Sequence, residues 1–225
     1  HRERMYKFAK LRNFIHLYFI KSLSSKKSMK FDFSQPIKLE NERVILRPLE
    51  QNDFTYLLPF SENEKDLWDF SLTPAAGAEN LQTYIDTALT AKEKLQAYPF
   101  VVFDKHVHKV AGSTRFYDIQ ITHNVLSLGY TWYGAEFQRT GLNRNCKYLL
   151  LSYAFDVLGV DRVEFRADLR NVKSIQAMKQ IGCTQEGILR SNCSASDGRR
   201  DSIVLSILKP EWDQKVKTHL QSKLY

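Results

Sequence analysis

Beyond residue 30 the chain alternates short apolar runs with stretches of helical periodicity. Val44-Ile45-Leu46-Arg47-Pro48-Leu49 reads as a first strand, stopped by proline. Asn52 or Asp53 is placed to cap a short helix through Phe54, Leu57 and Leu58. Leu81, Tyr84, Ile85, Ala88, Leu89 and Leu95 fall on one face of a longer helix, which Pro99 is expected to end. Phe100–Phe103, Val110–Tyr117 and Leu126–Tyr133 then read as the strands of a meander, the first two joined by the Asp104–Lys109 turn.

The second half changes rhythm. Leu142–Val157 offers Leu142, Leu149, Leu150, Tyr153, Ala154 and Val157 as a buried helical face, with Gly159 placed for a left-handed cap. Arg162–Ala167 alternates as a strand. Asn171 is a good N-cap for a helix through Ile175, Met178 and Ile181 that Gly182 ends. Strands near Thr184–Arg190 and Ser202–Leu208 flank an Asp197-Gly198 turn. A strand–helix–strand–helix run implies a right-handed crossover and a mixed α/β sheet.

Composition adds bounds. The 225 residues are 43% hydrophobic and 26% charged, which fits one soluble globular domain and excludes disorder or a low-complexity repeat. The net charge of +8 is local: residues 1–30 hold nine Lys and Arg against the single acid Glu3, and the rest holds 24 bases and 24 acids. No nucleic-acid partner is therefore expected for the domain. Cys146, Cys183 and Cys193 lack metal-site or disulfide spacing, so no metal is expected and a reducing cytoplasm is the natural compartment. His106 and His108 sit beside Lys105 and Lys109 as a solvated turn.

In the basic leader, Phe8, Leu11, Ile15, Phe19 and Leu23 stand at helical spacing, but the longest apolar run is far short of a membrane span. The expected division is a leader over 1–28, outside the fold, and one domain over 29–225. Monomer and homodimer both remain open.

The candidate chemistry lies between a strand and a helix, in Gln138-Arg139-Thr140-Gly141-Leu142-Asn143. A glycine turn opening a helix presents free backbone N–H groups and the positive end of the helix dipole, which suits a pyrophosphate. Gln-x-x-Gly-x-Asn after a strand, followed by Asn171-x-x-Ser174 opening the next helix, resembles the GNAT N-acetyltransferases. Within that family the RimJ/RimL branch of ribosomal-protein N-acetyltransferases is most similar. The likeness takes in Arg47-Pro48-Leu49, Gly129-Tyr130-Thr131-Trp132, a Gly182…Glu186-Gly187 turn, Asp197–Asp201 and Glu211-Trp212.

The resemblance implies a GNAT fold: six to seven strands splayed in the middle, about four flanking helices, and acetyl-CoA in the cleft. Thr131, Trp132 and Tyr133 would pair their backbone with the pantetheine arm. Gln138, Arg139, Thr140, Gly141, Leu142 and Asn143 would wrap the pyrophosphate. Asn143 replaces the family's Gly or Ala and is expected to cap the helix. Asn171 would approach the pantetheine, and Ser174 would serve as general acid toward the departing thiolate, with Tyr117 and Tyr133 as rivals. The family's glutamate positions are taken here by Ser127 and Cys193, which leaves Glu136 as a weak candidate base. The implied activity is acetyl transfer to a primary amine, on a protein N-terminus or a small molecule. The alternative is a CoA-binding or partner-binding module of the same fold with little turnover.

Overall fold

The computed structural model describes residues 29–195 and 197–224, so the leader expected over 1–28 lies outside the described residues. At the start of the described chain Met29 is buried and its N–H donates to Asn124 Oδ1 at 2.7 Å, while Lys30 N–H donates to Leu158 O at 3.1 Å.

The strands are β1 (Leu39–Glu40), β2 (Val44–Pro48), β3 (Ala97–Asp104), β4 (Lys109–Gln120), β5 (Val125–Tyr133), β6 (Arg162–Asp168), β7 (Thr184–Ala195) and β8 (Gly198–Leu208). The helices are α1 (Phe54–Asn63), α2 (Ala78–Glu93), α3 (Leu142–Ser152), α4 (Val172–Gln180) and α5, which starts at Lys209–Glu211 and runs on through Lys217–Gln221. One mixed sheet orders its strands β1-β2-β3-β4-β5-β6-β8-β7. Every neighbouring pair is antiparallel except β5 and β6, which are parallel and joined through α3. The expected six to seven strands become eight because the two-residue β1 pairs with β2, and a fifth helix closes the chain.

Alternate residues of β4 face opposite sides of the sheet. Ser113 accepts from the Tyr84 hydroxyl of α2, whereas Thr114 meets Thr131, to which Lys147 of α3 donates. Helices α2 and α3 therefore cover opposite faces.

Several local expectations shift. The α2 helix stops at Glu93, before Pro99, because Leu95 takes a left-handed φ of +58° and stands exposed rather than on the buried face. Pro99 lies inside β3, where its carbonyl accepts from Leu49 N–H just past the end of β2. A proline is tolerated there because the donor it lacks would point beyond the partner strand. Asp53 does not cap α1; its carboxylate turns back to Arg47 and to Glu50 N–H. The α3 helix widens into a π-type turn over Tyr153–Leu158, which rotates its face. Cys146, Leu151, Phe155 and Leu158 are buried in place of Leu149, Tyr153 and Val157, and Val157 is exposed. Gly159 ends the turn at φ +75°, as expected. Trp212 of α5 seals this side, fully buried with its ring stacked on Phe155 at 5.4 Å.

Candidate active site

The two halves of the sheet part at one place. β5 and β6 pair only at Val125↔Arg162, Leu126↔Val163 and Ser127↔Glu164. Beyond Ser127, β5 keeps β4 on one side and β6 keeps β8, so the facing edges of both strands run free. A free strand edge presents unpaired N–H and C=O groups, able to pair with an extended ligand. The fork is sharpened by a bulge: two residues of β5, Tyr130 and Thr131, stand opposite Thr114 alone, and Tyr130 has a left-handed φ of +50°. Bulges bend a strand and re-aim its groups.

Because β5 and β6 are parallel, the turns that follow them meet at the same end of the fork. After β5, Arg139 and Gly141 both take positive φ (+62° and +88°), which curls the backbone and starts α3 at Leu142. The N–H groups of Arg139, Thr140, Gly141 and Asn143 have no acceptor among the described residues. Successive free N–H groups at a helix start form an anion cradle. Side chains brace it. Gln138 Nε2 donates to Tyr133 O at 3.0 Å and Thr140 Oγ1 to Phe137 O at 2.8 Å. Glu64, just past the end of α1, accepts from Ala135 N–H at 2.7 Å. Leu142 is buried in the core.

Asn143 does not cap α3, since Gly141 holds that position; its amide oxygen instead accepts from the Tyr133 hydroxyl at 3.2 Å. That bond fastens the end of β5 to the first turn of α3 without occupying a backbone N–H. Burial beside Cys146 raises the Tyr133 phenol well above its ordinary pKa. Tyr117, against the ring of Tyr130, is pushed up by burial to about 12.

On the other side of the fork Asp168 organises the turn into α4. It is buried, pairs with Arg170 at 2.7 Å, accepts from Arg170 N–H, and lies 3.9 Å from the buried Arg200. The hydrogen bond from Arg170 holds its pKa below the ordinary carboxylate value. Asn171 then caps α4 as its sequence position implied, its Oδ1 accepting from Ser174 N–H at 3.0 Å. The Ser174 hydroxyl is half-buried in this first turn and has no hydrogen-bond partner among the described residues.

The structure thus brings Thr131–Tyr133, Gln138–Asn143, Asn171 and Ser174 to the two lips of one fork. The carboxylates are differently disposed. Glu136 is exposed and faces Lys109 at 3.7 Å. Glu164 is held by Arg162 at 2.8 Å and Arg166 at 2.6 Å. Glu186 pairs with Arg162 and Ser206 from a bulge within β7, not from the turn expected at Glu186-Gly187. Among the described residues Cys193, half-buried on β7, has only Asn192 and Ser202 as hydrogen-bond neighbours.

Lys147 is a site-lining residue that the sequence reading missed. It is buried beneath the fork, donating to Thr131 Oγ1 of β5 at 2.8 Å, with its Nζ 6.0 Å from the Phe165 ring of β6. Burial lowers its pKa to about 8. A charged residue on the inner face of a helix was the available signal.

The GNAT acetyltransferase domain model matches residues 43–184, well over half the chain. The chain belongs to the GNAT acetyltransferase family. Among Bacillus subtilis proteins it is 26% identical to "Probable N-acetyltransferase YjcK", over 78% of this chain and 99% of that one. It is 28% identical to "Putative ribosomal N-acetyltransferase YdaF", over 77% and 95%. A GCN5-related N-acetyltransferase from Brucella melitensis superposes with a TM-score of 0.80 at 25% identity, covering 89% of this chain and 91% of its own. An acetyltransferase structure from T. thermophilus reaches 0.76 at 31% identity, covering 85% and 98%. The fork between β5 and β6 is thus the cleft of a GNAT fold. Among the described residues no helix is long and apolar enough to cross a membrane, and no His, Cys, Asp and Glu side chains gather as metal ligands.

Proposed function

We propose that this GNAT domain transfers an acetyl group from acetyl-CoA to a primary amine by direct attack. The observation that carries the reading is the edge of β5, released from β6 after Ser127 and leading into a helix start whose N–H groups are free. Thr131–Tyr133 would align the pantetheine arm by strand pairing, and Gln138–Asn143 would hold the pyrophosphate. Asn171, its oxygen committed to the cap, would offer Nδ2 to the pantetheine. Acetyl-CoA, when bound, supplies the activated acyl carbon.

The residues of this chain then have separate tasks. Free N–H groups on the β5 edge receive the negative charge that grows on the carbonyl oxygen as the amine nitrogen bonds to carbon. The Ser174 hydroxyl gives its proton to the sulfur as the C–S bond breaks. The proton leaving the amine passes to water, because Glu64, Glu136, Glu164 and Glu186 are all engaged in other bonds. Positioning of the two reactants then carries much of the acceleration.

The resemblance to the RimJ/RimL branch, and YdaF's name, favour a protein N-terminus as acceptor; a small amine is the other class. Three unpaired cysteines favour a reducing, cytoplasmic setting. The same engaged carboxylates support a second reading, a CoA-binding module without turnover. Calorimetric titration with CoA, paired with thiol release over a panel of amines, separates the two. Binding with release supports the enzyme, binding without release supports the module, and no binding refutes both.

A further inference from the structure

On the face opposite α3, a buried charge stands without a counter-charge. Arg115 of β4 is 3% exposed. Among the described residues its side chain has no ion pair and no hydrogen bond, and its Nε is buried without an acceptor. The guanidinium lies 4.1 Å from the ring centroid of Tyr130 and 5.2 Å from that of Tyr84. Other buried cations are provided for: Arg200 donates to Phe70 O and Ser202 Oγ, and Lys147 to Thr131. A second buried donor close by is also unmet, the indole N–H of Trp68, whose ring is 6.5 Å from Tyr84 and 4.9 Å from Trp132. Native folds satisfy nearly all such groups, so two unmet donors flanking one tyrosine require an explanation.

Their position supplies one. Arg115 pairs with Gly129, two residues beyond Ser127 where the fork opens and one before the Tyr130 bulge. Trp132, on the strand segment assigned above to the pantetheine arm, donates to the Tyr84 hydroxyl at 3.3 Å on this same face. The unmet donors therefore border the point of reaction, on the side covered by α1 and α2. The Tyr130 ring against the guanidinium leaves its edge, with its fork of parallel N–H donors, as the part that can bind. A planar carboxylate lying in the plane of that fork fits the arrangement better than a tetrahedral phosphate.

We propose that Arg115 receives a carboxylate of the acceptor, so that the substrate is an amine carrying a carboxylate group. This inference rests on the acetyl-transfer reading above. Two sources share the chemistry: a free amino acid, through its α-carboxylate, and a peptide N-terminus with an acidic first side chain.

Matched pairs of amines test it with the full chain and acetyl-CoA, by thiol release. L-Alanine is compared with L-alaninamide, and the amidated dipeptide Asp-Ala with amidated Asn-Ala. The amide is the more readily deprotonated amine of the first pair, so a preference for alanine would run against intrinsic reactivity. The expected result is a preference in kcat/KM of roughly 10²-fold or more for the carboxylate member of one pair, and which pair shows it identifies the source. In Arg115→Met the ratio should collapse to within a few-fold of one, and Arg115→Lys should fall between. Thermal unfolding without acceptor guards against a merely structural role: Arg115→Met should melt no lower than the parent, because it removes an unpaired buried charge. CoA binding without discrimination in either pair, or a ratio unchanged in Arg115→Met, overturns the carboxylate proposal alone. If no amine is turned over, a melting temperature of the CoA complex raised no more by the carboxylate probes than by their amides also overturns it. Failure to bind CoA at all overturns the acetyl-transfer reading and this one with it.

Discussion

Replacing Lys147 by methionine should stabilise the protein at neutral pH. The lysine is buried under the fork, and burial lowers its pKa from 10.5 to about 8. At roughly 1.4 kcal/mol per unit, that depression means the native state carries a penalty of about 3 kcal/mol when the group is charged. Methionine fills a similar volume but forfeits the hydrogen bond to Thr131, worth about 1 kcal/mol. A net gain of about 2 kcal/mol at pH 7 is therefore expected, within the usual two- to three-fold context dependence. The pH dependence gives the sharper signature. The unfolded lysine binds a proton that the native one has shed between about pH 8 and 10.5, so the penalty is complete below that window and absent above it. The stability of the parent relative to Lys147→Met should accordingly rise with pH across the window. Urea denaturation of both proteins at half-unit intervals from pH 7 to 10.5 measures the difference, and other titrating groups cancel. A variant less stable than the parent at pH 7, or a difference that stays flat with pH, would refute the reasoning.

Gly141→Val should weaken CoA binding at least tenfold by calorimetry: a Cβ there meets only Arg144 Nη2 at 3.6 Å, so the damage comes from the φ of +88° that curls the N–H cradle. Asp168→Asn should cost about 2–3 kcal/mol in chemical denaturation, since it leaves Arg200 buried without its nearby carboxylate. The depressed Asp168 pKa means that the parent's advantage over this variant is present above the unfolded carboxylate value and lost as pH falls through the lower folded one. Ser174→Ala should lower turnover by roughly 10²-fold with cofactor affinity little changed; near-normal turnover would reassign the proton donor to water or a tyrosine.

What could be read from the sequence was what depends on near neighbours along the chain. Asn171 caps α4, Gly159 and Gly182 end their helices with positive φ, and the alternation of β6 is local chemistry that the fold leaves intact. The Gln138–Asn143 turn was legible for the same reason. The π-type turn after Ser152 was not, because its phase shift is imposed by packing against α5. The bulge at Tyr130 depends on register with β4; Gly129 inside the strand hints at a bulge without fixing where it falls. Asp168, Lys147 and Arg115 owe their character to partners present, or missing, on other elements. An arginine within an alternating strand reads as an outward-facing residue until the tyrosine above it is located.

The parallel pairing of only three residues between β5 and β6 is the narrowest seam inside the sheet, wider only than the hold on the two-residue edge strand β1. Five strands lie on one side of that seam and three on the other, so any flexing of the sheet is expected to concentrate there, as at a short hinge. An extended ligand paired to both lips would act as a keystone, turning the hinge into continuous sheet. Its stiffening would reach β1 and β7, at the far edges, as slowed exchange of amide hydrogens well away from any contact.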